Sequence, residues 1–253
     1  MPDTQLAVDV SNFQGAISVD TFRQMRAEGA QRIICGTDGS PSFPVAFPQQ
    51  VANAREAGLA VEAYIYLYFS QPLEALLRRV NIKLDMIEAS GVAMVWLDCE
   101  DTTSGLDPET LVGTIAAARD EVRNRGHGVG IYTGSWWWKP YTNNSEGFYD
   151  LPLWVASYDG NTNIEIAPLG GWSEAWRKQF TDKGLLAGIQ PLDLNIERRD
   201  PAAPPGISDE ARAAFTYVQG WANSALIGQS VKLAIEQMRL WTDEADRLTK
   251  DVP

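Results

Sequence analysis

Short apolar runs alternate with helical patterns through the first two hundred residues, and this alternation leaves few folds open to the chain. LAVDV (6–10), RIICG (32–36), LAVEAYIYLYF (59–69), VAMVWLD (92–98), GVGIYTG (128–134), PLWVASY (152–158), a segment around RKQF (177–180) and LDLN (192–195) read as strands. Helical spacing separates them. Phe22, Met25 and Ala30 mark one helical face, with Gly29 as its stop, and residues 47–58 form a second helix that ends at Gly58. Ser70 is expected to cap a helix reaching Ser90, with Pro72 in its first turn. Asp107-Pro108-Glu109 opens another, with Leu111, Ile115, Ala118 and Val122 facing inward and Gly126 ending it. Strand–helix–strand alternation with short loops implies parallel strands joined by right-handed crossovers. The expected class is α/β: an irregular (β/α) barrel of about eight mainly parallel strands. It is irregular because the last helices are missing or very short.

Beyond the barrel, expected over 1–199, the composition changes. DPAAPPG (200–206) reads as a stiff linker. Residues 207–253 read as a helical extension. Ala211, Phe215, Val218, Ala222 and Ala225 are spaced 4-3-4-3, and Ala234, Met238, Trp241, Ala245 and Leu248 repeat that spacing. Two readings stand: a helix packed on the barrel, or a docking or oligomerisation arm that would give the chain a virion or self-association partner.

Charge narrows the partners. Thirty-three acidic against 21 basic residues give a net charge of −12, which argues against nucleic acid and against adhesion to anionic membranes. No apolar run reaches the roughly 18 residues that cross a bilayer. The start, MPDTQLAVDV, lacks the basic and apolar segments of a signal peptide, so none is expected. Cys35 and Cys99 lie in apolar runs and read as free buried thiols. With His127 they make no metal-ligand cluster, and neither metal nor cofactor is expected.

Acids recur where the strands end. Asp9 closes the first, Asp98 and Glu100 the fourth, and Asp193 starts the last motif. A charge at the end of an apolar run is costly unless paired, hydrated or used. In β/α barrels catalytic groups sit at the C-terminal strand ends. Residues i and i+2 of a strand face the same way, so Asp98 and Glu100 share one space while Cys99 points away. Their Cα atoms would lie about 6.6 Å apart at about 3.3 Å per residue. Carboxyl groups about 5–6 Å apart fit a retaining glycosidase better than an inverting one. Like charges that close raise one pKa, leaving that acid protonated and able to donate. Tyr64, Tyr66, Tyr132, Trp154 and Tyr158 gather at the same strand ends, and aromatic faces stack on sugar rings. The run SWWWKP (135–140) is hard to bury whole, so one of its indoles is expected to line the cleft.

In their order, DVSNFQG (9–15), WLDCED (96–101), GIYTG (130–134), LWVASYDG (153–160), KQF (178–180) and LDLN (192–195) resemble the motifs of glycoside hydrolase family 25, the lysozymes (muramidases) of bacteria, fungi and phages. The resemblance covers roughly residues 5–197. It implies a barrel that cleaves the β-1,4 bond between N-acetylmuramic acid and N-acetylglucosamine in bacterial peptidoglycan. By that resemblance Glu100 is the proton donor. Asp98 attacks the anomeric carbon or orients the substrate's N-acetyl group, and Asp9 and Asp193 flank the pair. Tyr64, Tyr66, Tyr132, Trp154, Tyr158 and Gln179 fall at glycan-lining positions. Two departures stand out. Gly36 and Asp38 replace the Lys and Glu that many members carry after the second strand, and Arg177 and Lys178 precede Gln179 where a Trp is usual. The expected setting is a phage endolysin released at lysis or a lysozyme carried on the virion. The alternatives are a weak or inactive glycan-binding or structural virion protein on the same barrel, and a chitinase-like enzyme.

Overall fold

The structure is a computed structural model and describes residues 4–39 and 45–199. Eight strands close a barrel in sequence order. They are β1 (Thr4–Val10), β2 (Ala30–Gly36), β3 (Ala60–Tyr66), β4 (Met94–Asp98), β5 (Gly128–Gly134), β6 (Leu153–Ala156), β7 (Arg177–Leu186) and β8 (Ile189–Arg198). The helices are α1 (Val19–Ala27), α2 (Phe47–Glu56), α3 (Leu73–Ala89), α4 (Pro108–Asn124) and α5 (Ser135–Thr142). The linker and helical extension expected from residue 200 onward lie outside the described residues.

The first seven strands pair in parallel, as the alternation implies. The eighth does not: β8 runs antiparallel to both β7 and β1. β7 and β8 form a long hairpin whose turn residues, Ala187 and Gly188, both take positive φ. The hairpin does the work of a missing helix. Its Leu186 and Leu192 join the outer apolar core, and the Ala187 amide donates to Glu28 just after α1 at 2.8 Å.

Local signals explain most element ends. Ser18 accepts from the Thr21 amide to start α1, and Asp107 from the Thr110 amide to start α4. Ser70 is no cap: Pro72 holds that place in α3, and the Ser70 amide donates instead to Asp101 Oδ2 at 3.3 Å. Ala30 opens β2 rather than closing a helical face. SWWWKP is helical. Trp137 and Trp138 are fully buried, Trp137 stacked between Phe69 and Tyr141, and neither reaches the cleft. Trp136 is half exposed over Gly134, so no indole of the run lines the cavity.

Period-two alternation sorts the barrel interior into layers. At the closed end Arg32, Glu62, Arg177 and Glu197 form an ion network. Above it lie Ala7, Ile34, Trp96 and Trp154, and above those the acids at the mouth. Large rings need small neighbours. A Cβ at Gly130 would lie 2.4 Å from the Trp96 ring, and one at Gly36 would lie 2.5 Å from the Tyr64 ring. Gly36, the departure after β2, is thus the seat of Tyr64. Both cysteines are buried and free, as expected.

Candidate active site

The parallel strands deliver their C-terminal ends to one mouth, where a cavity of about 100 Å³ is lined by Asp9, Tyr64, Asp98, Glu100, Tyr132, Trp154, Tyr158, Gln179 and Asp193. That is room for several waters or part of a ring. Nine of the ten residues expected at the site meet there. The exception is Tyr66, whose ring turns to Tyr68 at 4.7 Å and does not line the cavity. Its backbone stands level with Asp98 on the neighbouring strand, so it is the packing of its ring on Tyr68 that takes it from the cavity.

None of the nine lining residues is basic. Asp98 is buried, and its Oδ1 has no hydrogen-bond partner among the described residues. Burial, then the charges of Glu100 and Asp9, hold its carboxyl well above the usual range. Glu100 lies past the strand's end and is half-buried. Burial, then Asp193, raises its pKa as well. Both carboxyls of the pair are therefore pushed toward their protonated forms. A cationic sugar carbon beside Asp98 favours its charged form and leaves the proton to Glu100, which faces the opening.

Asp9 stands directly opposite Asp193 across the antiparallel β1–β8 pair. Burial and the Asp193 charge push its pKa up, and the two carboxyls share a hydrogen bond. Two amides fix Asp9: Gln179 Nε2 donates to its Oδ2 at 2.9 Å and Asn195 Nδ2 at 2.7 Å. Each amide is fixed in turn. Tyr132 and Tyr158 donate to Gln179 Oε1 at 2.7 and 2.8 Å, and Trp154 Nε1 donates to Asn195 Oδ1 at 2.7 Å. The aromatics therefore orient the acids as well as line the cavity. Asn195 is a positioning residue to which the sequence reading gave no role, although it faces the same side as Asp193 two residues on.

Asp193→Asn removes a charge that holds the Glu100 pKa up. The alkaline limb of kcat/KM is expected to move to lower pH in that variant, and an unmoved limb would detach Glu100 from it.

The family model of the glycosyl hydrolases family 25 matches residues 8–189. The chain belongs to glycosyl hydrolase family 25. Among curated relatives, a "Lysozyme-like protein 5" of Caenorhabditis elegans is 31% identical over 185 residues, covering 71% of this chain and 86% of that protein. A "Probable GH family 25 lysozyme 2" of Dictyostelium discoideum is 27% identical over 191 residues, covering 74% and 88%. The bacterial lysozyme of Streptomyces coelicolor has the same fold, with a TM-score of 0.63 at 20% identity over 78% of this chain and 93% of its own. This family 25 member is a glycosidase.

Both departures from the family pattern resolve into support. Asp38, two residues after β2, pairs with Arg79 and Lys83 of α3. Arg177 turns into the barrel floor, while Lys178 turns out to Asp159 at 2.8 Å. His127 sits by Glu88 at the start of β5, away from the mouth.

Proposed function

We propose that this family 25 glycosidase hydrolyses bacterial peptidoglycan, cutting the β-1,4 bond between N-acetylmuramic acid and N-acetylglucosamine with net retention. The observation that carries this is the Asp98–Glu100 pair: two acids from one strand end, facing one cavity that no cation lines among the described residues. The lysozyme names of the relatives support the substrate.

Glu100 gives its proton to the glycosidic oxygen as the C–O bond breaks. Positive charge grows on the anomeric carbon, and Asp98 meets it, by direct attack or by aligning the substrate's N-acetyl oxygen for attack. Asp193 and the Asp9 held beside it keep the surroundings negative. Glu100, now a carboxylate, takes a proton from water, which enters on the face the leaving group vacated and restores the starting configuration. As part of the same proposal, the enzyme is phage-borne, released at lysis or carried on the particle. Its support is the heptad pattern of residues 207–253 where the barrel ends.

Digestion of purified peptidoglycan is expected to release muropeptides with N-acetylmuramic acid at the reducing end, read by mass spectrometry. The first-formed product is expected to be the β-anomer, read by NMR. N-acetylglucosamine reducing ends would overturn the bond assignment, and an initial α-anomer would overturn retention.

A further inference from the structure

On the β3 side of the mouth sits a group that the mechanism above does not use. Asp38 Oδ1 accepts from both Arg79 Nη2, at 3.1 Å, and Lys83 Nζ. Two cations for one acid leave a local surplus of one positive charge. The two cations differ. Lys83 is buried, its side chain 9% exposed, and suffices to hold Asp38, while Arg79 keeps 39% of its side chain in solvent. The Arg79 guanidinium also lies over the Tyr68 ring at 4.3 Å, which fixes its plane; among the described residues it bonds Asp38 and Tyr68, fewer partners than its five N–H donors can serve. This group borders the reacting centre, because Tyr66 stands in register beside Asp98 on the neighbouring strand and its ring packs on Tyr68 at 4.7 Å. Tyr66, packed on Tyr68, bridges the distance from the end of β3.

A mouth lined by four acids repels an anionic polymer, so a substrate carrying carboxylates gains from one rigid cation set just outside it. A planar guanidinium matches a carboxylate with two parallel hydrogen bonds.

We propose that Arg79, seated on Tyr68 and braced by the Asp38–Lys83 pair, is a specificity site that binds a carboxylate of the glycan strand. This rests on the peptidoglycan reading above. The carboxylate belongs to the peptide stem or, where a muramic acid carries no stem, to its lactyl arm, which is otherwise amide-linked.

The test compares wild type with Arg79→Gln and Arg79→Lys on three substrates: intact peptidoglycan, the same material with its carboxyls amidated, and strands stripped of their stems by an amidase. On intact peptidoglycan Arg79→Gln is expected to lose at least roughly tenfold in kcat/KM, the scale of one charge-assisted hydrogen bond, mostly through KM. Arg79→Lys is expected to recover part of it. On amidated material the gap closes. Stripping by the amidase frees the lactyl carboxylate, so a gap that persists on stripped strands shows that the site also takes the lactyl arm, and a gap that vanishes there shows that it reads the stem alone. Equal losses on intact and amidated substrate, or no loss on either, would overturn the proposal. Calorimetric binding of a soluble disaccharide–dipeptide and its carboxamide to Glu100→Gln, with and without Arg79→Gln, reads the same contact without turnover. Absence of wild-type products sinks the peptidoglycan reading alone. An Arg79→Gln double variant that binds the free acid as tightly as Glu100→Gln alone sinks the Arg79 assignment alone.

Discussion

Replacing Glu100 by Gln is expected to slow release of reducing ends from peptidoglycan by at least roughly 100-fold, the usual contribution of a positioned general acid. Gln keeps the shape and polarity of the side chain but has no proton to give. The loss should fall on kcat, since Glu100 acts as the bond breaks and contributes little to holding the sugar. Stability separates this from a folding defect. The folded-state pKa of Glu100 is raised above its ordinary 4.5 by burial and by Asp193. A raised acid binds its proton more tightly when folded, so wild type loses stability as pH climbs through that raised pKa. Gln carries no such charge. The variant is therefore expected to melt higher than wild type at neutral pH, with the difference closing below about pH 4, where the carboxyl is protonated in both states. A variant that clears peptidoglycan at the wild-type rate would remove Glu100 from the mechanism.

Much of this site could be read before any coordinates. The acids stand at strand ends, and alternation alone places Asp98 and Glu100 on one side, so Asp9, Asp98, Glu100 and Asp193 converge as expected. What escaped the reading has physical causes. The direction of β8 was hidden because the hairpin turns through Ala187-Gly188, and LLAGIQ lacks the Asn-Gly or Asp-Gly cue of a two-residue turn. The tryptophans of α5 looked like cleft residues because three adjacent indoles resist burial. The helix turns two of them into the core, where Trp137 Nε1 donates to the Asp101 carbonyl and Trp138 Nε1 to that of Ser145. Arg177 looked only like a departure from the family, because the partners that explain it lie 20 and 115 residues away.

That arginine carries the largest expected effect on stability. Arg177 is fully buried. Its Nε donates to Glu197 Oε2 at 2.8 Å, and its Nη2 donates to Glu62 Oε2 at 2.8 Å and again to Glu197. Arg32 binds the other oxygens of both acids at 2.8 and 2.9 Å, so two arginines balance two glutamates at the barrel floor. The guanidinium also lies 4.9 Å from the Trp96 ring and 5.2 Å from that of Trp154, whose indole lines the cavity. Arg177→Met fills similar space but leaves one buried negative charge without a counter-ion, at a cost of about 3–5 kcal/mol. At about 2–4 °C per kcal/mol for a domain of this size, Tm should fall by roughly 6–20 °C near neutral pH. The pH dependence identifies the cause. Burial alone would raise the Glu197 pKa, yet Arg177, then Arg32, hold it at about 2. The stability Glu197 supplies to wild type is therefore complete above its ordinary 4.5 and lost as pH falls toward 2. Without Arg177 its pKa rises, so the gap between variant and wild type is widest at neutral pH and narrows in acid. Adding Glu197→Gln removes the stranded charge and is expected to restore part of the lost Tm. An Arg177→Met protein that melts with wild type across this range would mean the floor network contributes nothing to holding the barrel closed.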